Sequence, residues 1–396
     1  MDEPIRLTGD LVVPRLSRRI FLKGAFGVSG LALLTACAPP PAPAPTAAPK
    51  AAAPAPTSAP QSAAPAAAPT AASAAAAAPA SKAVQTINFG GVVSMNYVPV
   101  FVGVEKGIFL KYGVDMKVKL LATGQEANRA LQAGETQISP AAPSNAPSAY
   151  EQGITFVNVV AIQNDATQAF SDKVLSIVAH KDAGIGPGEI AKLKGKKIAL
   201  SSGSTGEQYL LAVLAKNGMK QSDVTIVNLP SSNWKTALEA KQVDAVSSWE
   251  PFGTQNMQVP GAVQVVRGGG YIGYSILFGP STRFMQEQPD LAEKAVYGMA
   301  EAAWYTRKNP QEAADVAPRW ISGLDKATAL ESLKNMPYDP RISKYTIQGW
   351  VDTMKELVDQ KKLKAVIPTE KLFDTRFIEK VQKEHPEWFA DLKPIS

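Results

Sequence analysis

From residue 84 onward, the apolar residues fall into two alternating rhythms. Short runs rich in Val and Ile give way to stretches in which apolar positions recur every three or four residues. The first rhythm predicts strands and the second helices. Read this way, 86–93, 114–121, 136–140 and 154–162 are strands. Helices cover 99–111 and 126–133, and a third starts after 143–145 and ends near Gly153. Pro99 suits a first helical turn, and Gly113 the position just past a helix end. A second series follows: strand 173–180, short helix 189–193, strand 197–200, a helix from Ser204 that stops at Gly218, strand 224–229, helix 233–240 and strand 245–249. After Gly268-Gly269-Gly270 comes an apolar strand, 272–278. The remainder reads as helices over 290–308, 311–320, 325–335, 342–360 and 370–383.

Such alternation predicts an α/β fold of parallel sheets covered by helices, with a ligand crevice at the carboxyl ends of the strands. The two series echo each other. Ala130-Leu131-Gln132-Ala133 precedes a short strand at Ile138, and Ala237-Leu238-Glu239-Ala240 precedes one at Val246. Two similar lobes facing one cleft are expected, joined at 174–179 and 274–278. Lobe one would be 84–179 with 274–396, lobe two 180–273, and the C-terminal helices would pack mainly on lobe one.

The stretch 198–214 is the sharpest local signal. A short apolar strand meets Ser201-Ser202-Gly203, and Ser204 and Glu207 have the spacing of a capping box. A helix N-terminus with small neighbours leaves backbone N–H groups free for a polar or anionic atom. No Gly-Lys-Ser/Thr follows, so this is not a nucleotide loop, and Gly184-Ile185-Gly186-Pro187-Gly188 lacks the dinucleotide spacing. An ordinary capped turn is the plainer alternative.

The first 83 residues read differently. Ser17-Arg18-Arg19-Ile20-Phe21-Leu22-Lys23 precedes a modest apolar run that closes on Leu34-Thr35-Ala36-Cys37. The first motif resembles a twin-arginine export signal over 1–36. The second resembles a lipobox, in which the Cys37 thiol takes a lipid and becomes the mature N-terminus. Residues 38–83 are nearly all Ala, Pro, Ser and Thr, a disordered, partly polyproline II tether from 37 to 83. Cys37 is the only cysteine, so no intramolecular disulfide is possible. A net charge of +6, spread along the chain, does not suggest nucleic acid.

Short motifs in fixed order then align with a known group. They are Gly107-Ile108-Phe109 with Tyr112-Gly113, Ala130-Leu131 with Ala133-Gly134-Glu135, the run Leu193-Lys194-Gly195-Lys196-Lys197-Ile198-Ala199, Gly203-Ser204-Thr205, and Val243-Asp244-Ala245 with Trp249-Glu250-Pro251-Phe252. Residues 84–383 resemble the solute-binding proteins of bacterial ABC importers that bind sulfonates, taurine, nitrate, thiamine-pyrimidine precursors or riboflavin. The resemblance implies a two-lobe type II periplasmic binding protein fold, each lobe a sheet flanked by helices. It also implies delivery of a solute to permease and ATPase subunits at the membrane. Ser139-Pro140-Ala141-Ala142 departs from the Gly or Asp usual after the third strand.

The loops at the strand ends supply candidate ligand residues: Asn96, Tyr97, Gln125, Ser144, Asn145 and Asn164 from lobe one, and Ser204, Thr205, Trp249 and Glu250 from lobe two. Trp249 suits a core position equally, and Glu250 an ion pair. Amides, hydroxyls and aromatics without Lys or Arg suit a neutral heterocycle, so riboflavin is favoured, with a thiamine-pyrimidine precursor beside it. An alkanesulfonate, taurine or nitrate is the alternative, because helix N-termini alone can hold an anion. The only histidines, His180 and His385, lie far apart. No catalytic residue, metal or cofactor is expected, and a lipid-anchored, extracytoplasmic monomer is. A periplasmic hydrolase and a surface adhesion lipoprotein are the rival classes.

Overall fold

The structure, a computed structural model, describes residues 84–396. The expected export signal, the expected lipid site at Cys37 and the expected tether all lie outside the described residues.

The strands run β1 (Gln85–Val92), β2 (Val114–Leu121), β3 (Ile138–Ala141), β4 (Val160–Gln163), β5 (Leu175–His180), β6 (Lys197–Leu200), β7 (Thr225–Asn228), β8 (Ala245–Trp249), β9 (Ala262–Arg267) and β10 (Ile276–Pro280). They form two sheets of one plan, ordered β2-β1-β3-β10-β4 and β7-β6-β8-β5-β9. The echo in the sequence is thus an echo in topology.

The sheets are not purely parallel, as the alternation predicted. β10 runs antiparallel to β3 and β4, and β5 antiparallel to β8 and β9. The reason is geometric. A segment crossing the cleft enters the next sheet from the edge where its parallel strands end, so it must run against them. Residues 174–179 are therefore not a bare crossing: β5 is a full member of the second sheet, and a boundary drawn at 179/180 cuts through it. The crossings lie just upstream of β5 and β10. Asp172 joins them, its buried carboxylate accepting the N–H groups of Gly270 (3.0 Å), Tyr271 (2.7 Å) and Ile272 (3.3 Å).

Other elements differ in detail. The helix expected over 99–111 breaks at Gly107, whose φ of 66° only glycine adopts without strain, into Val98–Glu105 and Ile108–Lys111. The apolar run 154–162 pairs as a strand only from Val160, and before it makes isolated bridges to Ser281 and Phe373. β9 has no counterpart in the sequence reading, because its residues are only partly buried and their alternation is weak.

In lobe one Phe89 stacks on Phe278 at 5.8 Å beneath Tyr97. The Pro289–Lys308 helix packs on the Val98–Glu105 helix. Gly103 and Gly298 permit this approach, since a Cβ at either would sit within 2.5 Å of the Phe109 ring. In lobe two Trp234, Trp249 and Phe252 meet edge to face at 5.0–5.8 Å.

Candidate functional site

Two helices, one per lobe, begin just beyond the carboxyl ends of β2 and β6 and are capped by the same chemistry. In lobe two Ser204 caps the Thr205–Lys216 helix, its Oγ accepting the Glu207 N–H (3.4 Å). The Glu207 carboxylate reaches back to the Gly203 N–H (2.6 Å). In lobe one Thr123 caps the Gly124–Gln132 helix, its Oγ1 accepting the Glu126 N–H (3.2 Å). The Glu126 carboxylate reaches back to the Ala122 N–H (3.0 Å). Each glutamate thus bonds the residue before the cap, one position beyond the usual capping box. In both helices the first two N–H groups, Gly124 and Gln125 in one and Thr205 and Gly206 in the other, take no protein partner among the described residues.

Both helix starts line one cavity of about 80 Å³ between the lobes. Lobe one also contributes Val92, Ser94, Asn96, Tyr97, Pro140, Ala142 and Asn145. Lobe two adds Ser201, Ser202, Gly203 and Trp249, and the return strand adds Tyr274 and Ile276. No ionisable side chain other than the two phenols reaches the wall. Pro140 helps to shape it: lacking an N–H, it cannot extend the β1–β3 ladder, which is confined to Phe89 and Ile138. Gly124 does likewise, because a Cβ there would lie 2.3 Å from Asn145 Nδ2.

The wall is rich in donors. Asn96 Nδ2 donates to the Tyr274 hydroxyl (2.7 Å), which leaves the Tyr274 proton free to donate onward. The Tyr97 phenol has no protein partner among the described residues. Burial, with the neighbouring Tyr274, holds the Tyr97 pKa well above the ordinary tyrosine value, and burial likewise raises that of Tyr274. Both stay protonated donors at any physiological pH. Apolar contact comes from Val92, Ala142, Ile276 and the Trp249 ring.

Asn96, Tyr97, Gln125, Asn145, Ser204, Thr205 and Trp249 are therefore brought together here. Ser144 stands beside them and spans the cleft, its Oγ 3.0 Å from Thr205 Oγ1. Two candidates face elsewhere. Asn164 is buried, donating to the Arg341 carbonyl (2.8 Å) and Thr346 Oγ1 (2.9 Å). Glu250 is 1 % exposed and pairs with Arg267. It also accepts from Asn335 Nδ2 (2.9 Å), Ser332 Oγ (3.2 Å) and the Thr254 N–H (3.1 Å). A polar residue at a strand end need not face the cleft; here the C-terminal helices cover both. Thr123 and Ile276 line the cavity but were not among the candidate ligand residues. Thr123-x-x-Glu126 was a visible signal, the twin of Ser204-x-x-Glu207.

The profile of the NMT1/THI5-like family matches residues 94–313, more than half of the chain. The chain belongs to the NMT1/THI5-like family. Among its relatives, a protein named as an aliphatic sulfonates-binding protein from Bacillus subtilis is 28% identical over 310 residues, covering 77% of this chain and 90% of that one. Among solved structures, the alkanesulfonate-binding protein of Xanthomonas axonopodis bound to MOPS has a TM-score of 0.64 at 20% identity, covering 75% of this chain and 100% of its own. The periplasmic nitrate-binding protein of Synechocystis has a TM-score of 0.64 at 15% identity, covering 78% and 92%. The desulfurization enzyme DszB shares the fold, with a TM-score of 0.58 at 14% identity over 76% of this chain and 99% of its own. This NMT1/THI5-like chain therefore has the periplasmic binding protein architecture that its motifs implied.

Proposed function

We propose that this protein is the extracytoplasmic solute-binding component of an ABC importer for small organosulfonates. The observation that carries the reading is the convergence of two helix N-termini, each with free N–H groups, on a cavity with no cation. Aligned peptide dipoles give each terminus roughly half a positive charge. Two of them, with neutral donors such as Tyr97, Tyr274, Gln125 and Asn145, compensate a sulfonate head without Lys or Arg. Val92, Ala142, Ile276 and Trp249 suit a short alkyl chain, which inorganic nitrate would leave unused.

Riboflavin and thiamine-pyrimidine precursors fit less well. The preference for a neutral ring weighed side-chain charges and placed free backbone N–H groups at the Ser204 helix start only, without the second set at Gly124 and Gln125. The sulfonates-binding relative supports the alternative kept open in the sequence reading.

A binder rather than a catalyst is the reading for the cleft. Neither His180 nor His385 lines it, and among the described residues no cluster of His, Cys, Asp or Glu could hold a metal. The leading 83 residues support export, a lipid on Cys37 and a long tether that lets the lobes search for solute above a membrane. Thermal shift against ethanesulfonate, taurine, nitrate and riboflavin tests the solute. Stabilisation by the first two supports the reading, and stabilisation by riboflavin alone overturns it. Cys37→Ser is expected to release the protein from membranes, and unchanged association would reject the anchor.

A further inference from the structure

A second and larger space adjoins the cavity. It holds about 550 Å³ and is bounded by helices of both lobes and by the C-terminal end of the Lys344–Asp359 helix. Gln125, Asn145, Gly203 and Ser204 line both spaces and so form the partition between them. The partition is thin. Gly203, with φ of 74°, brings its backbone so close that a Cβ would sit 3.0 Å from Gln125 Nε2.

The chemistry of the outer space is unlike that of the inner. Arg129 and Lys362 line it, and neither cation has an ion pair or side-chain hydrogen bond among the described residues. Glu207 is the one acid on its wall, already engaged by the Gly203 N–H. Two amides face the space from opposite lobes without protein partners. Asn128 is only 4 % exposed and makes no side-chain hydrogen bond, and both polar atoms of Gln208 are buried and unpartnered. Buried polar groups seldom stay unpartnered, since a missing hydrogen bond leaves their desolvation uncompensated. Unpaired cations and unspent amides around one space describe a place for an anionic group.

The geometry points to a second subsite for the same solute, in which Arg129 and Lys362 bind a distal anionic group while the sulfonate head occupies the inner cavity. The substrate class is then a sulfonate carrying a second anion, such as a carboxylate, on a short chain that passes Gln125 and Gly203. This inference rests on the organosulfonate reading and deepens it. The inner cavity takes the sulfonate head, and the outer space, where the two cations stand, takes the distal group.

Calorimetry on the full chain with 3-sulfopropanoate and propane-1-sulfonate, which share the sulfonate and differ in the distal group, tests it. The dianion is expected to bind at least tenfold more tightly, with the gap shrinking as salt is raised. The Arg129→Gln/Lys362→Gln variant is expected to lose most of that gap and leave propane-1-sulfonate affinity unchanged. Both residues are exposed and unpaired, so the variant is expected to keep the parent's unfolding transition. Equal affinity for the two probes, or a variant that weakens both alike, overturns the second subsite while the sulfonate reading stands. Failure of both probes to bind overturns the sulfonate reading and this inference with it.

Discussion

Ser144 of lobe one and Thr205 of lobe two meet hydroxyl to hydroxyl at 3.0 Å across the cleft. Thr205 is also the first residue of the helix whose N-terminus faces the cavity, so contact between lobes and presentation of donors share one residue. Thr205→Val keeps the shape and removes the hydroxyl. A typical hydrogen bond contributes about 0.5–1.5 kcal/mol, so ethanesulfonate affinity should fall roughly three- to tenfold with little change in melting temperature. Titration calorimetry beside thermal unfolding checks this; unchanged affinity would remove Thr205 from the site.

Glu250 acts as a fastening rather than a ligand. Its carbonyl accepts the Met95 N–H (3.2 Å) and the Ser94 hydroxyl proton (3.3 Å) from lobe one, while its carboxylate holds Arg267 of lobe two, Ser332 of the Lys326–Leu333 helix and Asn335 just beyond it. Breaking one half of a buried pair costs about 3–5 kcal/mol, because the other charge is stranded. Glu250→Gln should lower stability by that order in chemical denaturation. Glu250→Gln/Arg267→Met should recover part of the loss; no recovery would mean that Arg267 is not the partner that matters.

Trp249 has two roles. One face lines the cavity and the ring packs edge-on against Trp234 and Phe252. Trp249→Ala should therefore cost affinity as well as stability; the ring is only partly buried, so the loss of stability should fall below the about 3–5 kcal/mol of a fully buried aromatic. Trp249→Phe should keep most of the packing. Urea unfolding and binding measured on both variants separate the two roles; a Phe variant as unstable as the Ala variant would contradict the split.

The phenols give a pH prediction. Burial raises the pKa values of Tyr97 and Tyr274 in the folded protein above the ordinary value of about 10. A raised phenol pKa means that the neutral form is favoured when folded. Their contribution to stability is whole below about pH 10 and declines as pH rises through the range above it. Sulfonate affinity should stay flat from about pH 6 to 10, since the donors keep their protons. A fall centred below pH 10 in a calorimetric pH series would contradict the role of these phenols.

Much of this was legible in the chain because strand ends and helix starts carry local signals. Ser204-x-x-Glu207 marked one helix start, and the loops at Asn96-Tyr97, Gln125 and Asn145 fell where parallel strands end. What was not legible depended on distant covering. Asn164 and Glu250 also sit at strand ends, yet residues 332–346 claim their hydrogen bonds, and no local pattern announces that. The strand directions of β5 and β10 were hidden for a similar reason, being set by the edge from which the chain enters each sheet. The riboflavin preference rested on side chains and on the single helix start at Ser204, because Thr123-x-x-Glu126 was not read as a second cap.

The central claim is that helix starts from both lobes grasp one anionic head. Amide nitrogen–proton spectra of the full chain during titration with ethanesulfonate test it most directly. The account predicts saturable downfield shifts at Gly124, Gln125, Thr205 and Gly206 with a common midpoint. Saturation with only one lobe responding, or with none of these amides moving, would contradict it.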